Sequence, residues 1–290
     1  MLVMGGTHGD EFEGQIAALE LARSLDALTV HGRLIVAPFH HEAACREGMR
    51  LSPIDGRDLN RAYGLKQSPD AGPTTRIAQF VENQLLPHVD LVIDLHSGGV
   101  SHDFVLSSNL QAAIGGEEHQ SMRPLLLAFD APFALTFDEA GESAMPHVGT
   151  LEGATRALGK QAISSELGGG GHLTAQSTAV ARQGLVNLLH HVGIVRSAVA
   201  IPWRESRSVE LSLSRPEEHL TAPVAGWFCP SISLGERVKA GDLIGTLTPD
   251  QSPFDAPLPI KARTDGIVAA LPSRTRQKAG AAIAFVAAEH

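Results

Sequence analysis

The chain has 290 residues, 43% of them hydrophobic, enough to bury a sizeable core, so intrinsic disorder is excluded as the overall state. With 23 lysines and arginines against 32 aspartates and glutamates the formal net charge is −9; no basic surface is left over for a phosphate backbone or an anionic bilayer, and neither nucleic acid nor membrane is expected as a partner. Two cysteines, Cys45 and Cys229, are too few for a disulfide framework and lack the paired spacing of a thiolate zinc site, which points to a reducing compartment, the cytoplasm.

The first residues are apolar or small and run straight into Gly5-Gly6-Thr7-His8, without the basic and apolar regions of a secretory leader. Val3-Met4 reads as the end of a strand, and Phe12, Ile16 and Leu19 as one face of the helix after it. Short apolar runs at 34–37, 91–95, 104–106, 133–137 and 162–165 read as further strands. Between them Thr74 reads as the cap of a helix that carries Ile77, Phe80, Val81 and Leu85 on one face and ends at Pro87. A second helix is read over 175–191, with Val180, Leu185, Leu188 and Leu189 inward. Strands alternating with helices predict an α/β domain with a largely parallel or mixed sheet over residues 1–200. The apolar stretch 185–201 is broken by His190, His191 and Arg196 and cannot span a bilayer.

After Pro202 the texture changes to runs of four to six residues punctuated by Gly and Pro, at 209–213, 243–247, 267–271 and 282–286, which predicts an all-β unit over 201–290. Ala222-Pro223-Val224-Ala225-Gly226, the run from Leu234 to Gly245, and Asp265-Gly266-Ile267-Val268 resemble the small flattened barrel of biotinyl and lipoyl carrier domains. The connecting stretch 249–259 has no Met-Lys-Met, and Lys261 is the nearest lysine, so carrier function is not implied and a structural or oligomer-forming appendage is the favoured reading.

Four polar motifs carry chemistry. His8 and Glu11, three residues apart, fall on one side of a helical turn and can share a cation, although a surface histidine near a glutamate is the commoner origin of such a pair. Asp94-Leu95-His96-Ser97-Gly98-Gly99 ends an apolar strand with a histidine where α/β sheets form ligand sites. His8, Glu11 and His96 together make two imidazoles and one carboxylate, the ligand set of a catalytic rather than a structural zinc, with a fourth position left for water. In Asp58-Leu59-Asn60-Arg61, Arg61 beside the Asn60 amide forms a fork for a carboxylate, and Arg50 can reach a carbonyl oxygen that becomes an oxyanion. Asp58 is placed to accept from the far nitrogen of His8. Glu166 ends the run Ser165-Glu166-Leu167 before four glycines, where a carboxylate can act as general base on a water and glycine leaves room for substrate.

The order His8-x-x-Glu11, Arg50, Asn60-Arg61, His96, Glu166 resembles the succinylglutamate desuccinylase/aspartoacylase branch of the zinc carboxypeptidase fold family, over nearly the whole chain. Within that branch the four motifs are most similar to those of deacetylases acting on N2-acetyl-L-2,4-diaminobutanoate in ectoine breakdown. The resemblance implies a mixed sheet flanked by helices and followed by a small barrel-sandwich-like unit. It also implies one zinc ion per chain held by His8, Glu11 and His96, with Glu166 activating water, Arg50 steadying the oxyanion and Asn60 with Arg61 holding the α-carboxylate of an N-acyl amino acid. Family members usually carry several tens of residues before the first zinc motif, so either the start is misassigned or the domain folds with a reduced sheet that lacks early strands, which would weaken zinc binding. Relatives use a tyrosine near the substrate; the only tyrosine is Tyr63, inside the arginine motif, and that role is unfilled.

For the diaminobutanoate ammonium the sequence offers Asp138, Glu139 and Glu142, equally readable as a solvated acidic loop, while Arg156 looks a poor partner for an acidic substrate on an exposed-looking helix. The alternatives are an aspartoacylase- or desuccinylase-type deacylase, a non-catalytic zinc or small-ligand binding protein and, ranked lower, a peptide carboxypeptidase. Low aromatic content, 4%, does not argue against a homo-oligomer.

Overall fold

A computed structural model describes residues 1–26, 29–65, 71–138, 149–196 and 206–290. The first strand, β1 (Leu2–Gly5), is wholly buried and leads through the turn at residues 6–11 into helix α1 (Phe12–Ser24). There follow β2 (Ile35–Ala37), α2 (Glu42–Glu47), α3 (Pro73–Phe80), β3 (Leu91–His96), β4 (His102–Phe104), β5 (Ser107–Gln111), α4 (Glu117–Phe129), β6 (Phe133–Phe137), α5 (Leu151–Ala157), β7 (Gln161–Glu166), α6 (Ala175–His191) and β8 (Val209–Leu213). The rest of the chain adds β9 (His219–Thr221), β10 (Gly226–Pro230), β11 (Arg237–Val238), β12 (Leu243–Pro249), β13 (Leu258–Lys261), β14 (Gly266–Pro272), β15 (Arg276–Gln277) and β16 (Ala282–Glu289).

The large sheet is mixed, in the order β11-β14-β16-β8-β6-β5-β7-β3-β1-β2. Strands β2, β1, β3 and β7 run parallel to one another, β5 lies antiparallel to β7, and β5, β6 and β8 are again parallel. The alternation of strand side chains sorts the core into two layers. Val3, Ile93, Leu95 and Ile163 face α1, α4 and α6, whereas Leu2, Met4, Val92 and Ala162 face Leu59, Tyr63, α3 and α5. Gly14 is what lets α1 lie so close to β3, because a Cβ there would collide with the Leu95 carbonyl oxygen. Strand β1 is an inner strand, paired on both sides, and β2 ends the sheet among the described residues.

Strands β10, β12, β13 and β15 form a second, antiparallel sheet, and the later strands enclose a core of their own around Phe228, Ile244, Leu247, Val268 and Ile283. Pairing also crosses between the two parts of the chain: β8 lies against β6, β16 against β8, and β4 against β14. The boundary at 200/201 expected from the sequence falls within residues 197–205, outside the described residues. Lys261 is the exposed last residue of β13.

Several expectations need correction. The apolar run 104–106 is the joint between β4 and β5, not one strand, and β5 itself is polar. Its Ser107, Ser108 and Asn109 are buried and satisfied internally, for example by the Ser108 hydroxyl donating to the Leu126 carbonyl at 2.9 Å, so hydropathy conceals it. Thr74 does not cap α3: Gly72 is the cap with Pro73 at the first helical position, and Thr74 instead binds Asp55 through its hydroxyl at 2.7 Å. Phe80 is exposed, and the chain after it widens into a π turn and then tightens into a 3-10 turn rather than continuing as a regular helix. Helix α6 is as expected, closed by a Thr174–Ser177 capping box. Among the described residues no helix is long and apolar enough to cross a membrane.

Candidate metal centre and active site

His8 and Glu11 lie on the turn from β1 to α1. The Gln15 side chain pins that turn by donating to the Gly9 and Glu11 carbonyls, both at 3.0 Å. His96 is the last residue of β3, the parallel neighbour of β1, so the sheet brings together groups 85 residues apart in sequence. Nδ1 of His8 lies 2.7 Å from Glu11 Oε1, Nδ1 of His96 lies 2.8 Å from Glu11 Oε2, and the two rings are 5.0 Å apart. All three residues are buried, and one ligand atom from each lies within 4.8 Å of the others.

The outward nitrogen of each ring has its own carboxylate. Nε2 of His8 donates to Asp58 at 3.0 Å, as the sequence suggested, and Nε2 of His96 donates to Asp94 at 2.9 Å. Asp94 was not singled out in the sequence, although an Asp-x-His pair on a strand necessarily shares a face. It is fixed in turn by the Thr7 hydroxyl at 2.8 Å. Burial opposes charge on every member, but mutual attraction prevails. His8 is raised by Glu11 and Asp58 against that burial, His96 is raised well above the usual value by Asp94 and Glu11, and Glu11 and Asp58 are held far below the carboxylate range by the imidazoles.

This donor set fits a divalent cation. With both Nε2 atoms donating to carboxylates, each Nδ1 is the free ligand atom, turned toward one shared carboxylate, which is the orienting arrangement seen in metal-binding imidazoles. The two Nδ1 contacts to Glu11 lie where a divalent ion held by the three groups would replace the imidazole hydrogens.

Glu166 is the Cα partner of His96 across β3 and β7, and alternation puts both side chains on the face that carries Asp94. Its Oε2 is buried without a hydrogen-bond partner, and burial together with the negative charge of Glu11 pushes its pKa up to about 8, against the pull of His96, Arg50 and His8. Ser107 flanks it on the other side, and the Asn109 carboxamide, turned so that both its ends are satisfied, accepts from the Glu166 amide at 3.2 Å. That support was invisible in the sequence because β5 was.

Arg50 stands at the rim, 3.3 Å from both Glu11 Oε1 and Asp58 Oδ2, with 42% of its side chain exposed and therefore open to a ligand. Asn60 is held by its Oδ1, which accepts from the Leu151 amide at 3.0 Å, and its Nδ2 lies 3.5 Å from His96 Nε2. Arg61 is exposed and folds its guanidinium onto the Asn60 carbonyl at 2.6 Å, so the expected fork is adjacent to the cluster but not preformed. Tyr63 is fully buried and donates to His40 Nε2 at 2.9 Å. Arg156 is not on an exposed face: its side chain is 14% exposed, paired with Glu118 and donating to the Gln111 carbonyl. Asp138 accepts from the Ile114 amide at 3.2 Å just after β6, while Glu139 and Glu142 lie outside the described residues.

A mixed α/β sheet that carries a His–Glu–His cluster at the carboxyl ends of its parallel strands, faced by Glu166, offers a donor set that fits a metal ion of the catalytic type. The chain belongs to the succinylglutamate desuccinylase/aspartoacylase family, whose catalytic-domain model matches residues 1–192. It is 32% identical over 286 residues to the N-alpha-acetyl-L-2,4-diaminobutyric acid deacetylase of Halomonas elongata, a match covering 99% of this chain and 81% of that one. Among solved structures it is similar to the product-bound ectoine utilization protein EutE (DoeB) of Ruegeria pomeroyi (34% identity, TM-score 0.89, 99% of this chain and 84% of that one). It is also similar to a succinylglutamate desuccinylase/aspartoacylase of Rhodobacter sphaeroides (30% identity, TM-score 0.89, 100% and 85%).

Proposed function

We propose that the protein is a zinc-dependent amidohydrolase that removes the acyl group from an N-acyl amino acid, with N2-acetyl-L-2,4-diaminobutanoate as its substrate. The observation that carries this reading is the convergence of His8, Glu11 and His96 within 4.8 Å with Glu166 aligned beside them, in a chain similar along nearly its full length to a deacetylase of that compound. His8, Glu11 and His96 would hold the zinc, which when bound supplies Lewis-acid polarisation of the amide oxygen and makes water acidic enough to ionise near neutrality.

The chain's own groups account for the remaining chemistry. Glu166 takes the proton of the attacking water on its unpartnered Oε2 and returns it to the leaving nitrogen as the C–N bond breaks, a role suited to a carboxyl already displaced toward neutral pH. The exposed Arg50 guanidinium steadies the oxygen that gains charge, and Asn60 with Arg61 holds the α-carboxylate; the products are acetate and a free amino acid.

The test is acetate release by purified protein carrying one equivalent of zinc. Glu166→Gln should lower kcat by about 10²–10⁴-fold with zinc content unchanged. No turnover of any N-acetyl or N-succinyl amino acid by a normally zinc-loaded protein would overturn the reading in favour of a binding protein, and preference for acetyl-aspartate would overturn the choice of substrate.

A further inference from the structure

We propose that Glu152 receives the side-chain ammonium of the amino acid being released and is the residue that selects a diamino acid over a neutral or acidic one; this rests on the deacylase reading above. Glu152 sits in the first turn of α5, whose Leu151 packs into the same core layer as Val92, Ala162 and Leu59. Along β7 that layer is faced by Ala162, Ser164 and Glu166, and along β3 by Val92, Asp94 and His96, with Ser164 the register partner of Asp94. The Ser164 hydroxyl lies beside the Glu152 carboxyl, so Glu152 is on the catalytic face, one side-chain step down the strand from Glu166.

Glu152 is 8% exposed and its Oε1 has no hydrogen-bond partner. A buried carboxylate oxygen left unpaired is costly unless a cation or donor arrives to meet it. The nearest guanidinium on the same helix, Arg156, is engaged by Glu118 and the Gln111 carbonyl.

The span also matches. Two residues along a strand rise about 6.6 Å, and the extended path from the acyl carbon through nitrogen, Cα, Cβ and Cγ to the terminal nitrogen of 2,4-diaminobutanoate is about 6 Å. Asn60, proposed to hold the α-carboxylate, accepts from the amide of Leu151, the immediate neighbour of Glu152. Acyl, carboxylate and ammonium ends thus each meet a group on connected elements of one face.

A rival exists. A cavity of about 270 Å³ lined by Glu13, Asp103, Phe104, Phe133 and His172 holds another buried carboxylate oxygen without a partner, on Glu13. Glu13 belongs to α1, however, which packs on the opposite layer with Ile163.

The experiment compares kcat/KM for N2-acetyl-2,4-diaminobutanoate and for N2-acetyl-2-aminobutanoate, which lacks only the ammonium, in the zinc-loaded wild type, Glu152→Gln and Glu13→Gln. The expected result is a preference for the charged substrate in the wild type that Glu152→Gln reduces by about 10–100-fold, mainly through KM, while the neutral substrate is turned over as before and shows that the variant is folded. Equal use of both substrates by the wild type, an equal loss on both in Glu152→Gln, or loss of the preference in Glu13→Gln instead would overturn the inference and leave the deacylase reading intact. Hydrolysis of neither substrate by the wild type would overturn that reading first.

Discussion

Loading zinc onto the metal-free protein should release two protons. Each imidazole keeps a hydrogen on Nε2, at 3.0 Å from Asp58 for His8 and 2.9 Å from Asp94 for His96. Each also presents Nδ1 to a Glu11 oxygen, at 2.7 and 2.8 Å, a contact that needs a second hydrogen because two lone pairs would repel. The raised pKa values of both rings favour a hydrogen at each of these contacts in the metal-free protein, and a cation at Nδ1 must displace it. Below those raised values the apparent zinc affinity should fall about 100-fold per pH unit, about 2.7 kcal/mol. Titration calorimetry at about pH 6, below the ordinary histidine value, in buffers of different ionisation enthalpy reads the proton count directly. A count near two is expected; a count near zero would refute the assignment of both Nδ1 atoms as ligands.

Asp94→Asn removes the charge that holds His96, and zinc affinity, measured by competition with a chelator, should drop about 10–100-fold; an unchanged affinity would mean that Asp94 does not orient the ligand. His40 is pushed down to about 4 by burial, so between its unfolded value of 6.5 and that pH the unfolded chain binds a proton that the folded one excludes. Stability should accordingly fall as the solution is acidified through this window, by up to about 3 kcal/mol from this group, and urea unfolding of His40→Gln across the same range should show a shallower pH dependence than the wild type. Gly184 of α6 packs against the Phe129 ring of α4, where a Cβ would collide. Gly184→Ala should cost about 1–3 kcal/mol in denaturant unfolding with metal binding retained.

Local chemistry was more legible in the sequence than long-range placement. Polar residues at a strand end, as in Asp94-Leu95-His96 or Ser165-Glu166, are readable because the strand before them is apolar and the glycines after them end it. What joins them is sheet order: His96 meets His8 because β1 and β3 are parallel neighbours, and meets Glu166 because β3 and β7 are, and neither pairing leaves a trace within either segment. Strand β5 was hidden by burying Ser107, Ser108 and Asn109, polar groups whose partners come from elsewhere in the fold. Helix α4 was hidden by Pro124 and its polar first turn. Nothing in the sequence marks Glu152; only the stacking of α5 on the face of Ser164 and Glu166 makes it a buried carboxyl beside the site.

The central claim is that three side chains, two from the turn after β1 and one from the end of β3, form a single metal centre. Diffraction from zinc-loaded crystals, collected on both sides of the zinc absorption edge, tests it most directly. One anomalous peak per chain, bounded by Nδ1 of His8, Nδ1 of His96 and the Glu11 carboxylate, is the predicted result; a peak elsewhere on the chain, with these three groups still joined only to one another, would contradict it.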